Sequence, residues 1–506
     1  MTPKTTYAAL GGDALERPSR PRPRARRHLT LRFSERKLVL SLLDLLFLCL
    51  SFSLALGLRG SDDPTFWGRS HGSPLSWFVL LAGLYWVCAL IIGAYDLVRA
   101  ANVSRSVVHC AGAVGLSWAI FLSVPFFTPT FPSSRLHLLL FPMVAVGTIG
   151  LWRLFYATVF AHPNFQQRAL IIGAGGAGRT LAQTIADLSA ASRHGAPSTD
   201  PALGSDIGYR VVGFVDDGVE RGQTIESVPV LGTREDLTDL VGRLHVNELV
   251  VAITHLETMS VELFEAIQEC REWGISVTTM AHLYERLTGR VPIEHAGRAL
   301  AVAMPVVQRP THRFYLALQR LCDILVGLVG CVLLLGFIPL VALANRFSSP
   351  GPLFYTQERV GKGGRSFWIV KFRSMRVDAE KFGATWAQEN DPRITPVGRF
   401  LRGTRLDEVP QFWNVLRGDM SFIGPRPERP HFVAQLTQEI PFYRVRHAVK
   451  PGLTGWAQVR YRYGASVEDS LIKLQYDLFY IKRQSLLLDL EIVFKTIPIV
   501  LGFKGR

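Results

Sequence analysis

The stretch Arg402–Glu428, RGTRLDEVPQFWNVLRGDMSFIGPRPE, sets Asp407 beside Glu408 and surrounds the two acids with Arg402, Arg405, Arg417 and Arg426. Thr404 stands just before the pair and Gly418 closes the run behind it, which predicts a short helix with both acids in its first turn. Neighbouring helical residues diverge by about 100°, so the two cannot flank a glycosidic bond as an acid and a base do. Near the positive end of a helix both carboxylates are expected to stay ionised. That suits one as a nucleophile and the other as ligand to a hard cation such as Mg²⁺. A carboxylate attacking phosphorus would give an acyl phosphate, with guanidinium groups neutralising the departing diphosphate. The chemistry implied is phosphoryl transfer. The plain alternative is an Asp-Glu pair that merely caps a surface helix.

These groups need elements to carry them, and much of the chain is suited to lipid. Of its 506 residues 48% are hydrophobic and the mean hydropathy is positive, the mark of a membrane protein with several domains. A net charge of +15 suits an anionic membrane surface and anionic substrates; charge alone would also allow nucleic acid. The six cysteines form no CxxC pair, so neither a disulfide framework nor a zinc site is indicated.

Four apolar segments, Leu38–Leu58, Leu75–Tyr95, Val107–Phe127 and Leu136–Phe160, each approach the roughly 20 residues of a spanning helix. They predict a four-helix transmembrane region over 38–160. The first begins well inside the chain and no small-residue cleavage site follows it, so it reads as a retained span. Residues 1–37 read as a disordered basic segment facing lipid from the cytoplasm. Arg99 and Arg105 lie between the second and third segments, whereas the loop near Pro129–Pro132 has no Lys or Arg, so the N-terminus and everything after Phe160 are expected on the cytoplasmic side.

RALIIGAGGAGRTLAQTIADL, Arg168 to Leu188, reads as a strand, then Gly173-x-Gly175-x-x-Gly178, then a helix. Further strands at YRVVGFVDD, ELVVAIT and ISVTTM predict a Rossmann-like, doubly wound domain over 165–300. The glycines serve either a nucleotide phosphate or close packing of helix on strand. The candidate ribose ligand, Asp216, lies about twice the usual offset of roughly 20 residues away, because SAASRHGAPSTDPALGSD is inserted. No catalytic set accompanies the loop.

From His312 a third domain, 312–506, opens on an apolar run over 321–347 with Pro339 inside it. Arg313 and Arg320 precede the run; Arg346, Arg359, Lys362, Arg365, Lys371 and Arg373 follow it. Basic residues on both flanks argue for a helix that enters one leaflet, bends at Pro339 and leaves on the same side. An ordinary fifth span would put the arginine-rich remainder outside the cell.

RVGKGGRSFWIVKFRSMRVDAE, LRGTRLDEVPQFWNVLRGDMSFIGPRPE and RHAVKPGLTGWAQV, in this order, resemble the catalytic domain of the polyprenyl-phosphate sugar-1-phosphate transferases, the bacterial sugar transferase family. The resemblance implies membrane α plus α/β architecture: four transmembrane helices, a Rossmann-like middle domain and a monotopic phosphoglycosyl transferase domain with a re-entrant helix. It implies transfer of hexose-1-phosphate from a UDP-hexose, glucose or galactose, to undecaprenyl phosphate, with release of UMP, Mg²⁺ and a covalent aspartyl intermediate. By that resemblance Asp407 is the nucleophile and Glu408 its partner, and the metal is held at the pair, by Glu408, by Asp407 or by both. Arg402, Arg426, Lys371 and Arg373 bind substrate, and Lys450 beside His447 in RHAVKPGLTG helps shape the pocket. The family's helix break is often Ser-Pro; here it is Ile338-Pro339.

The long members of the family further imply a homodimer in the bacterial inner membrane, with the catalytic domain on the cytoplasmic face, membrane lipid as a neighbour and no nucleic acid partner. They initiate exopolysaccharide, capsule or O-antigen synthesis. Trp456 is expected to pack in the core or to stack on uracil. The amphipathic stretch LIKLQYDLFYIKRQSLLLDLEIVFKTIPIVLGF is expected to pack on the domain, to lie in the interface, or both. Two other readings stand beside this one. The chain could be a non-catalytic membrane scaffold that senses a nucleotide through Gly173–Gly178, or a membrane-tethered dehydrogenase or epimerase, for which the glycine loop lacks catalytic neighbours.

Overall fold

The computed structural model describes residues 33–62, 74–95, 100, 103–123, 135–159, 167–194, 209–254, 259–295, 311–377, 379, 391–461, 464 and 466–501. The basic segment up to 32, Arg99, the loop near Pro129–Pro132 and most of the insertion before Tyr209 lie outside these residues.

Each of the first four apolar segments forms a helix: α1 (Phe33–Asp62), α2 (Pro74–Ile92), α3 (Val103–Leu122) and α4 (Arg135–Val159). Their core is aromatic. The Phe52 ring meets Phe78, Phe121 and Phe141 edge-on at 5.1, 5.7 and 5.6 Å between centroids, the geometry that ring quadrupoles favour. One ion pair is sealed inside: Arg153 of α4 donates through Nε (3.1 Å) and Nη2 (2.5 Å) to Asp44 of α1, both side chains being fully buried. Tyr85 donates to the same carboxylate and Arg153 also donates to the Ala94 carbonyl. In a low-dielectric interior such charges persist only when paired and hydrogen-bonded, so the pair ties the first helix to the fourth. Among the described residues three helices are long and apolar enough to cross a membrane, within Lys37–Gly57, Leu139–Thr158 and His312–Ser348; Leu75–Leu90 and Ser106–Leu122 are apolar but shorter. The chain is a membrane protein.

The middle domain runs β1 (Gln167–Ile172), α5 (Gly176–His194), β2 (Tyr209–Val215), β3 (Thr224–Ile225), β4 (Val228–Gly232), α6 (Leu237–Arg243), β5 (Glu248–Val251), α7 (Val261–Glu272), β6 (Ser276–Thr279) and α8 (Met280–Thr288). The sheet order is β3-β4-β2-β1-β5-β6, parallel except for the β3–β4 hairpin. Alternation along β1 sends its residues to two cores. Ala169 and Ile171 pack with Leu181 and Ile185 of α5 and Leu283 of α8. Leu170 and Ile172 face the other way, onto Leu240 of α6 and Ile267 of α7. Both faces are covered, which is why β1 reads as a continuous apolar run.

The third domain comprises α9 (Thr311–Ser348), β7 (Phe354–Val360), β8 (Ser366–Phe372), α10 (Pro396–Gly403), a 3-10 helix (Leu406–Gln411), α11 (Phe412–Arg417), β9 (Ser421–Ile423), α12 (Pro430–Glu439), β10 (Gly452–Thr454), α13 (Trp456–Arg460), α14 (Val467–Arg483) and α15 (Leu486–Leu501). α9 has 38 residues with Pro339 inside, about 57 Å at 1.5 Å per residue. Both halves of it pack on the same domain. Near its start Arg320 donates to the carbonyls of Val415 and Leu416 at 2.8 Å each, and Asp323 accepts from Ser421 Oγ and the Phe422 amide. At Gly330 a Cβ would lie 2.1 Å from Cγ of Phe412, so only glycine lets α11 lie this close. Further on, Val341 joins Phe372 and Leu401 in a separate small core. The outward face of α9 is apolar and exposed, with Leu325, Val329, Val332, Leu335, Leu343 and Phe347 among its residues.

The C-terminal stretch divides its duties. α14 buries Leu474, Tyr476, Leu478 and Tyr480 in the domain core, whereas α15 exposes Leu486, Leu487, Ile497 and Val500. Trp456 packs in the core: it stacks on Phe479 with centroids 5.8 Å apart, and its Nε1 donates to the Gly289 carbonyl.

Candidate active site

The two carboxylates are held by a chain reversal rather than by an ordinary helix start. α10 ends at Gly403, and Thr404 Oγ1 donates back to the Phe400 carbonyl at 2.8 Å, so this threonine closes the preceding helix instead of capping the next. Arg405 then takes φ of 58°, a left-handed conformation that costs a non-glycine residue about 1 kcal/mol. The turn throws Leu406–Gln411 into a 3-10 helix with Asp407 and Glu408 in its first turn, both buried. α11 follows and stops at Gly418, φ 95°, as the sequence predicts.

Around the pair the charges are unequally shared. Arg426 Nη2 donates to Glu408 Oε1 at 2.6 Å and Lys371 Nζ to the same oxygen at 3.2 Å, while Arg405 Nη1 lies 3.7 Å from Oε2. Burial raises the Glu408 carboxyl, but Arg426, Lys371 and Arg405 override it and hold the group well below the usual carboxylate range. Among the described residues Asp407 has no such clasp. Burial, then the neighbouring Glu408 charge, push it up to about 6, against the pull of Lys371, Arg402 and Arg426. The expectation that both acids stay ionised alike therefore holds for Glu408 and is modified at Asp407, because the cations close on its neighbour. Arg417 turns away to Asp419 and is largely exposed.

Two backbone devices bring the cations in. Asn414 donates through Nδ2 to the Trp368 carbonyl at 2.8 Å and accepts from the Val370 amide, stitching α11 to β8, whose next residue is Lys371. The turn carrying Arg426 is locked by glycines: Gly424 donates to Thr454 and Gly452 to Pro425, and a Cβ on Gly452 would lie 2.0 Å from the Gly424 nitrogen. Arg446 completes the lock. It donates to the Arg426 carbonyl at 3.0 Å, to Asp477 Oδ2 at 2.9 Å and to Tyr443 at 2.6 Å, buried throughout. Nothing in the local sequence marks Arg446, Asp477 or Asn414 for these duties. The acids and amides bind across distances in sequence that no local spacing records.

Two expected binding residues are placed elsewhere. Arg373 is buried and spends Nε on the Pro352 carbonyl at 2.6 Å and Nη1 on Ser349 Oγ at 2.9 Å, anchoring the segment after α9. Lys450 sits beyond the glycine lock, and the charges nearest it are Arg320, Asp323, Lys362 and Asp419 rather than the acidic pair. His447 lies in the 3-10 helix Tyr443–Ala448 just before it.

The donor set admits Mg²⁺. Among the described residues no group of three or more His, Cys, Asp and Glu could form an all-protein cage. Mg²⁺ normally takes one or two carboxylates and completes its shell with water and substrate phosphates, and Asp407, without a hydrogen-bonded clasp, has oxygens to offer beside Glu408.

The glycine loop of the middle domain is built for contact. Gly173 has φ of 101°, and a Cβ on Gly178 would lie 2.1 Å from the Gly173 carbonyl oxygen, whereas Gly175 faces open space. Asp216 turns inward, accepting from the Ala174 amide at 2.6 Å and the Gly218 amide at 2.8 Å.

The profile described as bacterial sugar transferase matches residues 314–503, and one described as CoA-binding domain matches 90–281. A UDP-N-acetylgalactosamine-undecaprenyl-phosphate N-acetylgalactosaminephosphotransferase of Aeromonas hydrophila is 44% identical over 51% of this chain and 60% of its own length. UDP-glucose:undecaprenyl-phosphate glucose-1-phosphate transferases of Xanthomonas campestris and Caulobacter vibrioides are 35% and 40% identical, over 55% and 36% of this chain and 58% and 69% of their own lengths. The chain thus spans about three fifths of the first two relatives.

Proposed function

The chain belongs to the bacterial sugar transferase family, and from that premise we propose that it transfers a hexose-1-phosphate from a UDP-sugar to undecaprenyl phosphate. The single observation that carries the reading is the unequal pair: Glu408 is clasped by Lys371 and Arg426 while Asp407 beside it is buried with no hydrogen-bonded partner among the described residues. A carboxylate whose charge is little solvated and unclasped is a better nucleophile than one tied in an ion pair.

In the first half-reaction an Asp407 oxygen attacks the phosphorus that bears the sugar. The new O–P bond forms as the bridging P–O bond breaks, and UMP leaves with the electron pair. In the second, a phosphate oxygen of the lipid attacks the same phosphorus and Asp407 is released unchanged. Arg426, Lys371 and Arg402 neutralise the charge that builds on the phosphoryl oxygens. Mg²⁺, when bound by Asp407 and Glu408, would screen the charge of the donor's diphosphate and aid the departure of UMP. We assign Arg373 to holding the end of α9, and Lys450 to the turn that carries Arg426.

Both ends of α9 pack on one domain and carry basic residues, which supports a helix that dips into one leaflet of the inner membrane, bends at Pro339 and returns to the cytoplasmic face. α1 to α4 then form the multi-pass anchor. The acceptor's phosphate sits at the membrane surface, so a site on a half-inserted domain meets lipid and aqueous donor together. The donor is a UDP-hexose, glucose or galactose; the N-acetylgalactosamine named in one relative adds a third sugar to test. Purified protein in detergent, given undecaprenyl phosphate, Mg²⁺ and each UDP-sugar in turn, is expected to release UMP with one donor. Release with none would overturn the reading in favour of a scaffold that senses nucleotide through Gly173–Gly178.

A further inference from the structure

The middle and catalytic domains are joined more intimately than a linker requires. After α8 the chain runs as a strap, Gly289–His295, into the catalytic core: Val291 and Ile293 are buried among Trp456, Leu474 and Tyr476. The Val291 amide donates to the Gln475 carbonyl, and the Arg290 guanidinium lies 4.9 Å over the Tyr476 ring. Gln475 Nε2 donates to Glu294 Oε1 at 2.6 Å. One helix earlier, Glu285, 2% exposed, receives Lys482 Nζ at 2.5 Å and lies 3.5 Å from Arg483. On its other side His295 bonds Thr180, about one turn into the glycine-loop helix α5.

Gln475 and Lys482 are seven residues apart, so they share one face of α14, while Asp477, two residues on from Gln475, looks out from the opposite side. That opposite side carries Arg446, and Arg446 carries the Arg426 carbonyl. A carboxylate from the middle domain at each end of the gripped face fixes the axial position of α14. The position of α14 in turn fixes the turn whose guanidinium meets Glu408.

We infer that Glu285 and Glu294 of the middle domain are positioning residues for the active site, setting the Arg426 turn through α14 and the Asp477–Arg446 pair. The inference rests on the proposed transferase reading for its kinetic consequence but not for its structural one. It gives the middle domain a duty that needs no bound nucleotide.

The test uses the full chain in detergent. Glu294→Ala and Glu285→Gln are compared with wild type, with Glu294→Gln, which keeps the accepting oxygen, and with the exposed control Glu262→Gln. Hydrogen exchange is followed over 421–429 and 467–483, alongside KM for the UDP-sugar and kcat of UMP release. Faster exchange over 421–429 and a KM raised about three- to tenfold with kcat nearly unchanged, both restored in Glu294→Gln, are expected. Loosening confined to 467–483, or a fall in kcat alone, would overturn the inference. If Glu285→Gln fails to fold, Glu294→Ala decides. If the wild type releases no UMP, the donor reading falls and exchange over 421–429 alone decides this one.

Discussion

Arg426 and Glu408, eighteen residues apart in sequence, meet at 2.6 Å, and the residue before Glu408 is left outside that embrace. The contact assigns different work to two acids that look alike in sequence. Glu408 is the counter-charge that keeps Lys371 and Arg426 converged; Asp407 is the group with an unclasped oxygen.

Replacing Glu408 by Gln removes the negative charge from two buried or half-buried cations. Such a loss costs about 3–5 kcal/mol where the remaining charges stay buried, and less here because Arg426 is about a third exposed. Glu408→Gln is expected to lower the melting temperature and to abolish most UMP release together. A variant that lost activity with unchanged melting would show that the clasp contributes nothing to the fold.

Gly330 marks where the membrane helix and the catalytic helix touch. A methyl group there would meet the Phe412 ring at 2.1 Å, and overpacking of this kind costs about 1–3 kcal/mol. Gly330→Ala is expected to melt earlier and to be partly restored by Phe412→Leu. Thermal unfolding of the two variants and the double variant checks this; equal melting of Gly330→Ala and wild type would contradict it.

His447 supplies a pH test away from the acidic pair. Burial, then Arg446 and Arg444, push it down to about 4 from an ordinary 6.5. As pH falls below 6.5 the unfolded chain takes up a proton that the folded chain refuses until about 4. Stability from this group is therefore complete above 6.5 and is lost as pH falls to about 4. Melting curves from pH 7.5 to 4.5 should decline less steeply for His447→Gln than for wild type, and parallel declines would rule the linkage out.

What the sequence made legible was whatever repeats locally. β1 with its glycine turn, the apolar helices and the Gly418 stop each follow from short-range pattern; resemblance singles out Arg426 and Lys371 as substrate-binding residues, while their meeting with Glu408 is visible only in the fold. Thr404 misled because a threonine before an acidic turn looks like a cap, yet the left-handed Arg405 between them starts a new element. The resemblance assigns Arg373 to substrate, and its partners in space, the Pro352 carbonyl and Ser349 after α9, follow from the tertiary fold and not from any local pattern. Asp477 and Asn414 gave no signal at all, since each acts on a segment brought near only by the tertiary fold.

The central claim is that Asp407 takes the sugar phosphate onto itself. With UDP-hexose labelled in the sugar and no lipid acceptor, wild type should release about one UMP per site and hold the label covalently, both lost in Asp407→Asn, with turnover falling by a factor on the order of 10⁴ or more. Full UMP release by Asp407→Asn, or turnover without any labelled protein, would contradict it.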